Sequence, residues 1–258
     1  MMAIDTRRPD ASRRDGSIGR TRTRTLWDGA AILALVVGLV LAFTAPPDRL
    51  QGDLQRLMYV HVPAAWTGYL AFVVTAVASV QVLRGRSTRR WDTLAEAAAE
   101  VGVLFTALTL ATGSIWGRPV WGVWWTWDAR LVTTALLLLV YLAYLALRRG
   151  IDDPRVRARR AAWLGVVAVV QLPIVHMSVV WWRTLHQPPT VLQPDHPPMD
   201  HLMLAALLVN VLAFTLLAGA LLSRRRDLGV LRHDDEHTTT PPAAGRAVTT
   251  PDLRPLDV

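Results

Sequence analysis

The sequence predicts an all-α fold: a polytopic integral membrane protein with six transmembrane helices. Three observations predict it. Six apolar blocks recur along the 258 residues, each close to the ~20 residues a helix needs to cross a bilayer core. Arginines cluster in alternate loops between those blocks, as the positive-inside rule requires of a multi-pass chain. The charge is also placed beside the apolar blocks rather than on one face of a soluble domain. A balance of 28 Lys+Arg against 20 Asp+Glu, net +8, would in a soluble protein point to nucleic acid. At span ends the partner of that charge is the lipid bilayer, and no nucleic acid is expected.

Residues 1–26 are polar, arginine-rich and without periodicity, so they read as a disordered cytoplasmic arm. The first apolar block runs from Ala30 to Ala45. The small residues after it, in Ala42-Phe43-Thr44-Ala45-Pro46-Pro47, also allow a cleaved signal peptide, but cleavage would remove a span from the charge alternation. The second block, Val62 to Leu83, opens beside His61, with Pro63 suited to a first helical turn. The third, Ala95 to Ile115, is preceded by Thr93-Leu94-Ala95-Glu96, which has capping-box spacing, and Glu100 lies one turn further in. A carboxylate so near a helix start is stabilised by the helix dipole and by interfacial water. Residues 116–130 form an external tryptophan-rich loop, and Asp128 is placed to cap the helix of the fourth block, Leu131 to Leu147. Pro173 interrupts the fifth block, Ala161 to Val180, and predicts a kink. The sixth block runs from Leu202 to Leu222. Residues 223–258 are too poor in apolar side chains to fold alone and read as a disordered tail. The membrane domain is therefore 27–222.

Orientation follows from the arginines. They crowd the arm before the first block, follow the second at Arg84, Arg86, Arg89 and Arg90, recur six times between Arg148 and Arg160, and follow the sixth at Arg224, Arg225 and Arg226. The other three loops hold only Arg49, Arg56, Arg118, Arg130 and Arg183. Both termini are therefore expected in the cytoplasm, with the arginine-poor loops outside. The chain has no cysteine, which excludes disulfides, thiolate metal sites and thioether attachment to this chain.

The outward loops carry an unusual constellation. Trp116, Trp121, Trp124, Trp125 and Trp127 fall within twelve residues, punctuated by Gly117, Pro119 and Gly122. With Trp66, Trp181 and Trp182, eight of the eleven tryptophans lie on the outer side, against Trp27, Trp91 and Trp163 on the other. An interfacial aromatic belt would spread them over both faces. Several indoles together instead make a platform for a flat aromatic ligand, and glycines let the backbone approach it. His61 and His186 stand at the same membrane face on either side of the loop. His176 lies ten residues before His186, roughly 15 Å deeper along a continuous helix. His196 and His201 flank the sixth block, and His233 and His237 lie in the tail.

A haem would use these features. Its macrocycle wants flat apolar walls, its iron two axial nitrogens, and its propionates cations. His61 and His186 would supply the nitrogens, with His176 in reserve. Arg118, Arg130, Arg183 or Arg56 would meet the carboxylates. Asp128 would either order the loop through tryptophan N–H groups or cap the following helix. Zinc is the weaker alternative, because no His-x-x-x-His or thiolate set is present. A membrane electron-transfer subunit using haem or quinone is another. It would favour histidines paired at depth, where only His176 lies. A polytopic scaffold with ordinary interfacial tryptophans would bind no haem.

The stretch Trp116–Val132, "WGRPVWGVWWTWDARLV", is similar to the tryptophan-rich WWD signature of haem-handling proteins of cytochrome c maturation. "MYVHVPAAW", "LPIVHMSVVWWRTLHQP" and the six-span length resemble the CcmC branch in particular, over about Leu57 to Gln187. The larger CcmF and CcsA branches share the tryptophan loop but have additional spans. The resemblance implies a non-enzymatic protein of the bacterial inner membrane that binds haem b transiently at its periplasmic face. It also implies delivery to the membrane-anchored chaperone CcmE, with CcmA, CcmB and CcmD as partner subunits. ATP hydrolysis would belong to the transporter subunits, and this chain has no Walker motif. By the same resemblance the flanking histidines, His61 and His186, are the axial ligands. Val180 stands in "SVVWW" where the family pattern leads one to expect an acidic or polar residue.

Overall fold

The computed structural model describes the backbone of residues 11–86, 88–186 and 199–239, and side chains between residues 24 and 229 of these segments. Seven α-helices account for six membrane-length spans: α1 (Ala11–Thr44), α2 (Met58–Leu83), α3 (Thr88–Trp121), α4 (Ala129–Arg149), α5 (Pro154–Ala168), α6 (Gln171–Trp181) and α7 (His201–Thr239). No β-strand occurs among the described residues. The fifth span is the one made of two helices. Pro173 has no N–H to give, and its ring crowds the carbonyl four residues earlier, so the chain breaks at Val169 and Val170 between α5 and α6.

The most extensive pairing is between α2 and α3. α7 packs on α1, α2 and α3, while α4, α5 and α6 close the other side. Lipid is as apolar as leucine, so close backbone approach and hydrogen bonding must hold the helices together. Gly102 of α3 shows the first device. A Cβ there would stand 2.3 Å from Phe72 Cε1, so glycine alone lets the Phe72 ring lie on α3 and stack on Tyr141 with centroids 3.6 Å apart. Asn210 of α7 shows the second. It is fully buried and its Nδ2 donates to the Gly38 carbonyl of α1 at 2.8 Å.

At the arginine-rich end, Arg148 of α4 is 2% exposed along its side chain. It donates to both carboxylate oxygens of Asp92 at 2.6 and 2.9 Å, and to Glu96 at 3.1 Å. The Glu100 carboxylate pairs with Arg225 of α7.

Several boundaries depart from the sequence reading. α1 starts at Ala11 and α7 continues to Thr239, so both helices run on past the apolar blocks. Arginine is a good helix former, and each segment elongates a helix already nucleated in the membrane. Arg24 pairs with Asp227 and Arg224 with Asp28, tying the two extensions side by side. α3 begins at Thr88, so Thr93 lies inside the helix. Its hydroxyl donates to the Arg89 carbonyl rather than forming a capping box. Pro63 sits five residues into α2, because a 3-10 turn at Asp53–Leu57 precedes that helix.

Candidate functional site

His61 is the fourth residue of α2, and its position is set from both sides. In the turn before it, Arg56 donates to the carbonyls of Ala42 and Phe43 at 2.6 Å each and to Asp53 at 2.9 Å. That guanidinium satisfies the C-terminus of α1, so Arg56 is a structural tie. The His61 ring rests on Gly113 of α3, where a Cβ would come within 2.9 Å of Cε1. Its Nδ1 lies 3.1 Å from Thr112 Oγ1. The Thr112 hydroxyl already donates to the Leu108 carbonyl at 2.8 Å, so its oxygen accepts from His61 Nδ1–H. This tautomer leaves the Nε2 lone pair for an external ligand. Trp116 meets the ring edge-on at 5.9 Å and is anchored by its indole N–H to Gln51 Oε1 at 2.9 Å.

His186 is oriented by the same logic with a stronger acceptor. Asp128 caps α4 by accepting from Arg130 N–H at 2.9 Å, and it accepts from Leu185 N–H at 2.7 Å. Its Oδ1 stands 3.1 Å from His186 Nδ1. A carboxylate can only accept, so Nδ1 carries the proton and Nε2 is again the presented nitrogen. The Asp128 side chain is 3% exposed. Burial pushes its carboxyl pKa up. Hydrogen bonds from the Thr184 hydroxyl and the Leu185 and Arg130 N–H groups outweigh this and hold it below the usual range. Burial depresses the His186 pKa; Asp128 pulls it back up and Arg130 adds to the depression, leaving it below the usual value. Trp121 lies 4.8 Å away, at 66° to the imidazole plane.

Both histidines line one open cleft of about 510 Å³ between α2, α3 and α4, with Tyr69, Thr106, Thr109 and Arg130 among its walls. Arg130 is fixed there by Ser178 Oγ at 3.2 Å and the His176 carbonyl at 3.0 Å. His176 itself is exposed on α6 and is not among the residues lining the cleft. His201 is exposed at the start of α7, and His196 lies outside the described residues.

The tryptophan segment divides into two parts. Residues 116–121 continue α3, contrary to the loop expected from residue 116. Pro119 lies so near the helix end that its missing N–H costs only one bond. The chain turns at Gly122, whose φ of 79° suits glycine, and Arg118 donates to the Gly122 carbonyl. Ser114 Oγ donates to the Trp124 carbonyl at 2.6 Å. Trp124, Trp125 and Trp127 stay 58%, 39% and 86% exposed, and Trp125 meets Trp127 edge-on at 6.0 Å. Trp181 and Trp182 form a second exposed pair at 5.8 Å. Arg183 is exposed beside them. Asp128 orders the loop through backbone N–H groups and His186, and no indole N–H reaches it among the described residues.

The donor set fits a haem: two imidazoles lining one cleft, a cation on its wall, and an indole packed against each imidazole. Zinc fits poorly, since among the described residues no group of three or more His, Cys, Asp or Glu is placed to hold a metal ion. The sequence reading missed Thr112, Gly113, Tyr69, Thr106 and Thr109. Thr106, Thr109 and Thr112 recur every three residues on one face of α3, and that polar stripe in an apolar span was the available signal.

Residues 17–240 match the family model described as Heme exporter protein C, CcmC. The chain is 45% identical to Heme exporter protein C of Bradyrhizobium diazoefficiens over 188 residues, covering 73% of this chain and 71% of that protein. It is 41% identical to Heme exporter protein C of Escherichia coli strain K12 over 205 residues, 78% of this chain and 82% of that one. A protein of Marchantia polymorpha, whose name likens it to ccmC in mitochondrial cytochrome c biosynthesis, is 38% identical over 151 residues, 58% of this chain and 63% of its own.

Proposed function

This chain belongs to the Heme exporter protein C (CcmC) family, and we propose that within it the chain holds haem b transiently between His61 and His186 and passes it on for cytochrome c maturation. A multi-pass membrane protein that handles haem is the general role. The finer reading is that the cleft and its tryptophan rim face the periplasm from the bacterial inner membrane, with both termini in the cytoplasm. The recipient is the membrane-anchored chaperone CcmE. CcmA, CcmB and CcmD are the partner subunits, and ATP hydrolysis lies with the transporter rather than with this chain, which is a handling component and no enzyme.

The observation that carries the reading is that His61 and His186, each with Nδ1 3.1 Å from a side-chain oxygen, line one cleft and each packs edge-on against an indole, Trp116 or Trp121. Iron with two axial nitrogens is the ligation this donor set supports. Thr112 and Asp128 hold the two rings in the tautomer that binds. Arg130, on the cleft wall, would meet one propionate, and Arg118 or Arg183 would take the other. Trp116 and Trp121 flank the imidazoles, while the exposed Trp124, Trp125 and Trp127 would offer flat apolar surface to the macrocycle. Because these indoles are on the surface, an edge of the haem stays open to the recipient.

The test is the visible spectrum of the detergent-purified full chain beside His61→Ala and His186→Ala. Each variant is expected to lose the bis-imidazole bands, and His176→Ala to keep them. Unchanged spectra in both single variants would reject the ligand assignment. Haem that stays with the chain when purified CcmE is added would favour an electron-transfer role instead.

A further inference from the structure

At the opposite end of the bundle from the histidines lies a second, larger cavity, of about 920 Å³, between α3, α4, α5 and α7. Its walls include Arg148, Arg149, Arg157 and Arg225, against Glu96 and Asp152. The acids that face these cations are largely consumed. Asp92 and Glu96 are taken by Arg148, and Glu100 by Arg225. Hydrogen-bond donors remain. The Nε of Arg148 and the Nε of Arg157 are both buried without an acceptor, although the Arg148 residue as a whole is only 3% exposed. Arg149 and Arg157 are engaged by no carboxylate among the described residues.

Arginines without carboxylate partners on the wall of a polar cavity suit an oxygen-rich anionic ligand. The depth of the cavity indicates which. Arg148 and Arg149 close the fourth span, and Arg157 lies one turn into the helix that opens the fifth, positions that in a bilayer would fall near the lipid phosphates. We propose that this cavity is a phosphate-binding site that takes the headgroup of an anionic phospholipid. Arg149 and Arg157 grip the phosphate, and Arg148 and Arg225, locked by their own carboxylates, form the floor. The same oxyanion chemistry would accept free phosphate, so the experiment separates the two sources.

The full chain is reconstituted in nanodiscs of phosphatidylcholine alone, of phosphatidylcholine with phosphatidylglycerol, and of phosphatidylcholine with inorganic phosphate in the buffer. Native mass spectrometry counts lipid retained after release, and thermal unfolding reports stabilisation. Arg149→Gln with Arg157→Gln removes the grip without touching the buried pairs. Arg155→Gln with Arg159→Gln removes two exposed arginines of α5 that do not line the cavity. The expected result is retained phosphatidylglycerol, weakened about 25-fold in the first double variant if each arginine accounts for roughly fivefold, and unchanged in the second. Stabilisation by inorganic phosphate with no retained lipid would overturn the lipid assignment. No binding of either, or equal loss in both double variants, would overturn the site.

Discussion

Asp128 serves several donors at once, and that makes it the residue on which His186 depends. Its carboxylate accepts from two backbone N–H groups and from the imidazole. Asn at this position keeps the shape but brings an NH2 that must face one of those donors, so the imidazole loses its reason to protonate at Nδ1. Asp128→Asn is therefore expected to weaken haem retention about 10- to 100-fold, read by titrating haemin into the purified variant, with helix content unchanged by circular dichroism. The pH response has a definite sign. The Asp128 pKa is depressed in the folded chain, so its stabilising contribution is complete above the unfolded value of about 3.9 and is lost as pH falls through the lower folded value. His186 is depressed too, so its imidazole stays neutral below the ordinary value of about 6.5 and protonates only as pH falls through its own, lower pKa. Haem absorbance should accordingly hold as pH is lowered through about 6.5 and fail only in more acidic buffer; loss centred on 6.5 itself would contradict the described environment. His61, His186 and Asp128 were all legible in the sequence, because a histidine or acid beside a tryptophan cluster at a span end is conspicuous. Thr112 and Gly113 were not. A threonine in an apolar helix commonly bonds its own backbone, as Thr109 and Thr133 do, and only the packing of α2 on α3 shows that Thr112 also holds an imidazole.

Helix pairing rests on small residues at a few close approaches, which the apolar pattern does not separate from lipid-facing positions. Gly102 and Gly219 both lie inside membrane helices, yet a Cβ at Gly102 would collide with Phe72, whereas nothing lies within 4 Å of one at Gly219. Gly102→Ala must displace the ring from its stack on Tyr141, an overpacking expected to cost about 1–3 kcal/mol. Gly219→Ala should be neutral or mildly stabilising, since alanine is the better helix former. Thermal unfolding of both variants in the same detergent makes the comparison, and equal melting points would contradict the packing of α2 on α3. The break of the fifth span was legible because proline acts locally. The lengths of α1, α3 and α7 were not. Pro119 and the arginine-rich arm look like helix breakers and solvated coil when read alone. Each in fact extends a helix that the membrane has already nucleated, and propagation is far easier than initiation.

Across the whole molecule, the two ends of the bundle have opposite chemistry. One end gathers tryptophans around a cleft with two histidines, and the other gathers arginines around buried carboxylates. A bilayer that holds arginine-rich loops in the cytoplasm thereby fixes the histidine cleft on the far side, so one orientation decides both the source of the arginine-end ligand and the side on which haem is handed on. The chain offers a clean way to test this, because it has no cysteine and any thiol introduced is the sole target for a maleimide. Trp127, 86% exposed at the rim, and Arg226, just past the sixth apolar block, lie at opposite ends. In intact spheroplasts a membrane-impermeant maleimide should label Trp127→Cys and leave Arg226→Cys unlabelled until the cells are lysed. The reverse pattern would invert the orientation and remove the cleft from the compartment in which a periplasmic chaperone could meet it. Labelling of both variants before lysis would show that these residues do not lie on opposite sides of a sealed membrane, and the six-span path would then have to be redrawn.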